Sequence, residues 1–182
     1  MYNGSSINIH EKPTHLIKKT AIIRCNCSSN LYLNGGTLDL NARKLTVQGT
    51  IYQSGGTLYV NGGEVEVWHD YLIEDGDSHS TGHLKMTNAA DTVTVHGDFV
   101  MNSKYNHNGY LTSGVLEIKG SFTQKSTSGD GYPNYPNNNF SASSGHKTVL
   151  SGEGIQTVSF EDPGDSMFNV LDIKNEMAAK NQ

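Results

Sequence analysis

Between residues 30 and 69 one hydrophobic phrase is written twice. NLYLNGG (30–36) followed by TLDLNARKLTVQG (37–49) returns as TIYQSGG (50–56) followed by TLYVNGGEVEVWH (57–69), a period of 20 residues. Each phrase holds three short runs in which apolar and polar residues alternate, separated by Gly, Asn and Ser, the residues that accept the backbone angles of turns. In the second unit the runs are Thr50–Gln53, Thr57–Val60 and Glu64–Val67, with turns predicted at Ser54-Gly55-Gly56, Asn61-Gly62-Gly63 and Trp68-His69. The phrase then recurs with insertions. DYLI (70–73) leads to HLKMTNAADTVTVHG (83–97), DFVM (98–101) to GYLTSGVLEIKG (109–120), and SFTQ (121–124) to NFSASSGHKTVLSGEG (139–154). IQTVSF (155–160) and FNVLDIKN (168–175) form a last partial unit.

Neighbouring residues of a strand point to opposite faces, so the alternation assigns an inside and an outside. The predicted inward stacks are Leu31/Ile51/Tyr71/Phe99/Phe122, Leu38/Leu58/Leu84/Tyr110/Phe140 and Leu45/Val65/Val93/Leu116/Thr148, with a further layer Leu40/Val60/Met86/Thr112/Ala142. The outward columns are Tyr32/Tyr52/Leu72/Val100/Thr123, Asp39/Tyr59/Lys85/Leu111/Ser141 and Thr46/Glu66/Thr94/Glu117/Val149. Like phrases 20 or more residues apart cannot be hairpin partners, which need reversals of two to five residues. They suit parallel neighbours joined by a crossover. The fold predicted is all-β, a right-handed parallel β-helix of about five to six three-strand coils capped at both ends, right-handed because parallel crossovers almost always are. An antiparallel β-sandwich with turns every 8–12 residues is the rival.

The whole chain reads as a single domain. Residues 1–29 form an N-terminal cap and first partial coil, 30–160 the repeat coils, and 161–182 a last strand and tail. Gly, Asn, Ser and Thr make up 71 of the 182 residues, which argues against a helix-rich globule with a Leu/Ala core. The formal charge of −5 supplies no basic footprint for nucleic acid, and no apolar run is long enough for a membrane span. Met1–Ser5 has neither the basic nor the apolar region of an export signal, which leaves a cytoplasmic protein or a module whose export signal lies upstream, and the repeat favours the second. Cys25 and Cys27, separated only by Asn26, leave free thiols, a strained bridge and metal ligation open.

The phrases LNGGTLDLN, KLTVQGTIYQSGGTLYVNGGEVEV, HLKMTNAADTVTVHGDFVM and GHKTVLSGEGIQTVSF resemble the Gly/Asn-rich β-helix repeats of large modular surface or secreted proteins of Gram-positive, mostly anaerobic, bacteria. The resemblance spans roughly residues 7–175. It implies an extracellular or cell-surface location and neighbouring domains in a larger chain. The broader class of right-handed β-helices includes both adhesins and polysaccharide-processing enzymes.

Three insertions leave the same corner of successive coils: Glu74–Gly82, Asn102–Asn108 and Lys125–Asn138. They gather Asp75, Asp77, His79, Tyr105, His107, Asp130, Tyr132 and Tyr135, a candidate ligand-binding corner, since insertions in repeat arrays collect on one face. Flat rings with polar tips suit sugar stacking; solvated loops covering the coil edges are the plainer alternative. Asp75 and Asp77 are weak candidates for Ca²⁺, because the segment lacks the rest of a calcium loop. No cofactor is otherwise implied, and His69, His79, His83, His96 and His107 lack zinc-ligand spacing. Tyr32, Tyr52, Tyr59 and Leu72 form an outward apolar strip, either a ladder of strand-forming residues or a docking strip for polysaccharide or a partner. Thr46 and Thr94 alternate with Glu66 and Glu117, which breaks the regular threonine ladder that ice binding would use. Glu66 and Glu117 share a face two coils apart, with Arg24 and Arg43 the only arginines of the chain. The function predicted is a monomeric, non-catalytic adhesive, carbohydrate-contacting or spacer unit, touching a glycan or a surface protein. A glycoside hydrolase or lyase on a β-helix is the alternative.

Overall fold

A computed structural model describes residues 7–9, 23–24, 30–76, 80–125, 138–161 and 163–175. Among them there is no helix, and every strand pairing is parallel. The strands form two sheets. The first runs β1 (Ile7–Ile9), β3 (Leu31–Asp39), β5 (Ile51–Tyr59), β7 (Tyr71–Ile73), β10 (Phe99–Met101), β12 (Phe122–Gln124) and β14 (Val158–Phe160), with β8 (His83–Lys85) beside β5. The second holds β2 (Ile23–Arg24), β4 (Lys44–Val47), β6 (Glu64–Val67), β9 (Thr92–Val95), β11 (Val115–Ile118), β13 (Lys147–Leu150) and β15 (Val170–Ile173). The chain therefore passes back and forth between the sheets and lays each new strand beside its counterpart from one repeat earlier, an arrangement consistent with a parallel β-helix.

The 20-residue period becomes register directly. Leu31 pairs with Ile51, Ile51 with Tyr71, Tyr71 with Phe99 and Phe99 with Phe122. In the second sheet Leu45, Val65, Val93, Leu116 and Thr148 stand in one row. All ten side chains are buried, as the alternation predicts. The core ends in a ring cluster, with Phe122 centred 4.8 Å from Phe140 and 4.8 Å from Phe168. Within the core Tyr71 donates its hydroxyl to Gln53 Oε1 at 2.6 Å, and burial pushes its phenol far up, so it stays a donor.

Two expectations are corrected. The first concerns the three separate strands per coil. The first two runs of each full repeat belong to one bent, nine-residue strand of the first sheet, β3 and β5. The Gly-Gly pairs predicted as turns keep the strands paired through irregular register shifts, because Gly36 and Gly56 adopt φ of 71° and 72°. A Cβ on Gly56 would also lie 2.7 Å from the backbone of Gly35, so the corner stacks only as glycine on glycine. In later repeats the insertions cut this strand into pieces, such as β7 and β8. The second correction is a one-residue slip at 110–112. Leu111, expected outside, bridges Met86 and Ala142 and is buried, whereas Tyr110 turns outward and Thr112 is half-buried. A one-residue shift exchanges the faces of a strand, and burying Leu in place of Tyr and Thr leaves no hydroxyl to satisfy.

Where the chain enters the first sheet, a polar column ties repeat to repeat. Asn30 Oδ1 accepts from Thr50 N at 2.9 Å, Asp70 Oδ1 from Asp98 N at 2.8 Å, Asp98 Oδ1 from Ser121 N at 2.7 Å, and Ser121 Oγ from Thr157 N at 3.1 Å. The buried Asp91 does the same elsewhere, accepting from the backbone N–H of Thr87, Asn88 and, one repeat back, Gly62.

A tight turn precedes β4 and another precedes β6. In the second, Asn61 and Gly62 have φ of 49° and 78°; in the first, the equivalent Asn41 and Ala42 have 46° and 61°. Alanine pays about 1–2 kcal/mol for this left-handed conformation, partly offset because glycine frees the unfolded chain by about 0.4–1 kcal/mol. Ala42→Gly should therefore stabilise the fold by roughly 0.5–1 kcal/mol, read as a raised urea midpoint with an unchanged slope.

Candidate outward aromatic face

The outer side of the first sheet carries rings aligned by strand register. Tyr32 and Tyr52 are direct pairing partners on β3 and β5, and their rings stack at 5.1 Å with an interplanar angle of 10°. Seven residues further along the same strands Asp39 pairs with Tyr59, and Tyr59 with Lys85. The Lys85 ammonium lies 4.1 Å from the centre of the Tyr59 ring. Two residues before Lys85 on β8, His83 stacks on Tyr110 at 4.7 Å and on Tyr105 at 5.5 Å, nearly parallel to the latter at 5°. The Lys104 ammonium stands 5.5 Å from the centre of Tyr105. Leu72 follows Tyr52 in register and is half-buried.

All four residues of the predicted outward strip, Tyr32, Tyr52, Tyr59 and Leu72, thus belong to this sheet's outer side. His83, Lys85 and Tyr110 extend it, although no sequence signal singles them out as a group. Tyr110 is concealed by the slip described above, and His83 becomes legible only once β8 is placed beside β5.

The insertion corner divides. Its described residues do meet. Ser80 bridges Ser103, Lys125 Nζ pairs with Glu74 Oε2 at 3.0 Å, and His107 N donates to Asn138 O at 3.1 Å. Tyr105 is 42% exposed and Asp75 is exposed. His107, by contrast, is fully buried, so it faces the interior rather than a solvent-borne ligand. Its Nε2 accepts from Leu84 N at 3.3 Å, and burial, helped by the neighbouring His83, holds its pKa down to about 3. Asp77, His79, Asp130, Tyr132 and Tyr135 lie outside the described residues, as do Cys25 and Cys27. Among the described residues no group of three or more His, Cys, Asp or Glu could hold a metal ion.

On the second sheet Glu66, Thr94 and Glu117 stand in one outward row. Lys44 Nζ reaches Glu64 at 2.7 Å and Glu66 at 2.9 Å. The lysine holds the Glu66 carboxyl below the usual carboxylate range against the smaller effect of burial. Glu117 accepts from Ser151 Oγ at 2.6 Å. Each carboxylate therefore has a local partner of its own. Trp68 and His96 stack on this side at 4.4 Å and 6°, and Trp68 is 46% exposed. The only tryptophan of the chain sits directly after β6, in a position His96 takes one repeat later; that single large ring at a repeat position is the signal sequence reasoning passed over.

No family model, no curated protein and no solved structure matches this chain.

Proposed function

We propose that this chain is a non-catalytic unit of a larger exported, cell-surface bacterial protein, a stiff support whose aromatic face contacts carbohydrate. The two parallel sheets are read as faces of one right-handed β-helix of five to six coils, capped at both ends, with handedness following from the crossover preference. The observation that carries the function is two groups of rings on the outer side of one sheet, Tyr32 stacked on Tyr52 before the Gly-Gly bend, and Tyr59, His83 and Tyr110 beyond it. Backbone pairing holds these rings in place before any ligand arrives, so binding orders little and stacking energy is retained. Successive strands lie about 4.8 Å apart, so a sugar chain lying across β3 and β5 would meet Tyr32 and Tyr52 in turn.

The non-catalytic reading is supported by the acids. A glycosidase needs one carboxyl kept protonated beside a second that is free to act, whereas Glu66 is held ionised by Lys44 and Glu117 is engaged by Ser151. The exported location and the neighbouring domains rest on the resemblance to Gram-positive surface repeats, and the exposed Tyr105 of the insertion corner offers a second edge to the contact surface.

A glycan array followed by calorimetry tests this. At least one extended polysaccharide should bind, and Tyr52→Ala or Tyr110→Ala should weaken it by on the order of tenfold, the usual cost of truncating an aromatic anchor. Silence across the array would leave a pure spacer, and reducing-sugar or unsaturated-product release would make the chain an enzyme.

A further inference from the structure

We infer that the carbohydrate taken by this face is an acidic polysaccharide, its carboxylates received by Lys85 and Lys104 on either side of His83. The inference rests on the carbohydrate reading above and deepens it. Of the lysines among the described residues, Lys44, Lys125, Lys147 and Lys174 each have a carboxylate oxygen within 3.9 Å. Lys85, Lys104 and Lys119 have none among the described residues, and of these the Lys85 and Lys104 ammonium groups lie over tyrosine rings, Tyr59 and Tyr105. The two lysine–tyrosine pairs are joined through His83, which stacks on Tyr105 and precedes Lys85 by two residues on the same strand and the same face. The result is a surface in which rings alternate with two ammonium groups that no carboxylate of the described residues meets. Of the two described acids of the insertion corner, Glu74 is paired with Lys125, and Asp75 stands exposed with no ion pair among the described residues.

Ring plus ammonium is the recognition chemistry of a sugar acid: the C–H face of the pyranose lies on the ring while its carboxylate meets the cation. A neutral glycan laid over the same surface would strip water from two ammonium groups and return no counter-charge, which is unfavourable. The chain's net charge of −5 opposes a polyanion at long range, but at physiological salt such interactions are screened beyond about 8 Å. Local cations then decide.

Calorimetry of the intact chain against polygalacturonate, its fully methyl-esterified form and a neutral β-glucan tests the inference. Polygalacturonate should bind at least about tenfold more tightly than the ester, and the advantage should shrink between 0.05 and 0.5 M NaCl as charge is screened. The Lys85→Gln/Lys104→Gln double variant should lose the preference. Lys119→Gln, at a lysine with neither a carboxylate nor a ring beside it, should keep it. Equal affinity for acid and ester, or a preference that survives the double variant, overturns the acidic ligand while leaving the carbohydrate reading in place. Failure of all three polysaccharides, with a silent glycan array, removes both.

Discussion

Lowering the pH from 7.5 to 5.0 should cost the fold about 4 kcal/mol, because two histidines are buried in their neutral form. Burial holds His107 at about 3 and His146 at about 4, against about 6.5 for an exposed imidazole. His146 packs edge-on to Phe140, and neither of its ring nitrogens has a hydrogen-bond partner among the described residues. The sign follows from proton counting. Below pH 6.5 the unfolded chain takes up a proton at each site and the folded chain does not, so stability is full above that pH and drains as pH falls toward 4. At pH 5.0 each site contributes a loss of about 2 kcal/mol. Urea unfolding at the two pH values reads this out, and His146→Leu or His107→Gln should each remove about half of the change. A midpoint that does not move between pH 7.5 and 5.0 would mean that these rings are not buried as described.

Phe122→Ala should destabilise the protein by about 3–5 kcal/mol, the range for emptying an aromatic site in a packed core. Phe122 is fully buried and meets Phe99 at 5.9 Å, Phe140 at 4.8 Å, Phe160 at 5.2 Å and Phe168 at 4.8 Å. Those rings come from β10, from the segment after the third insertion, from β14 and from the chain leading into β15, so the cavity would open where both sheets finish their stack. Calorimetry should show a fall in Tm on the order of 10 °C. Two neighbours calibrate the result. Phe122→Leu should cost less than about 1.5 kcal/mol if the cluster repacks, and Thr123→Ala, one residue along on the outer face, should stay within about 0.5 kcal/mol. A Phe122→Ala loss no larger than that of Thr123→Ala would place the ring outside the core.

Repetition made most of the fold legible before any coordinates. Where the period is 20 residues and unbroken, Leu31, Ile51, Leu45 and Val65 fall in register by counting alone. Counting fails where an insertion resets the phase. After Asn102–Asn108 the choice between Tyr110 and Leu111 depends on which residue meets Met86, a contact made through space. The Gly-Gly corners are ambiguous for a different reason: Gly-Gly favours both a turn and a bulge, and only pairing against the same residues one repeat earlier selects the bulge. His107 shows the same limit, since a histidine in a polar insertion reads as a surface residue until Leu84 N supplies a buried donor for it. The outward strip Tyr32, Tyr52 and Tyr59 was visible because strand alternation and period agree there. His83 and Trp68 were not, because a single ring carries no periodic signal.

The stacking itself is tested most directly by backbone NOEs from a uniformly labelled sample. In-register parallel coils predict amide contacts linking the Leu45, Val65, Val93 and Leu116 strands at sequence separations of 20 to 28 residues, together with those linking Leu31, Ile51 and Tyr71. Strong Hα–Hα contacts between consecutive runs, such as 37–39 with 44–47, would instead mean antiparallel hairpins, and both the stacked coils and the aligned aromatic face would be wrong.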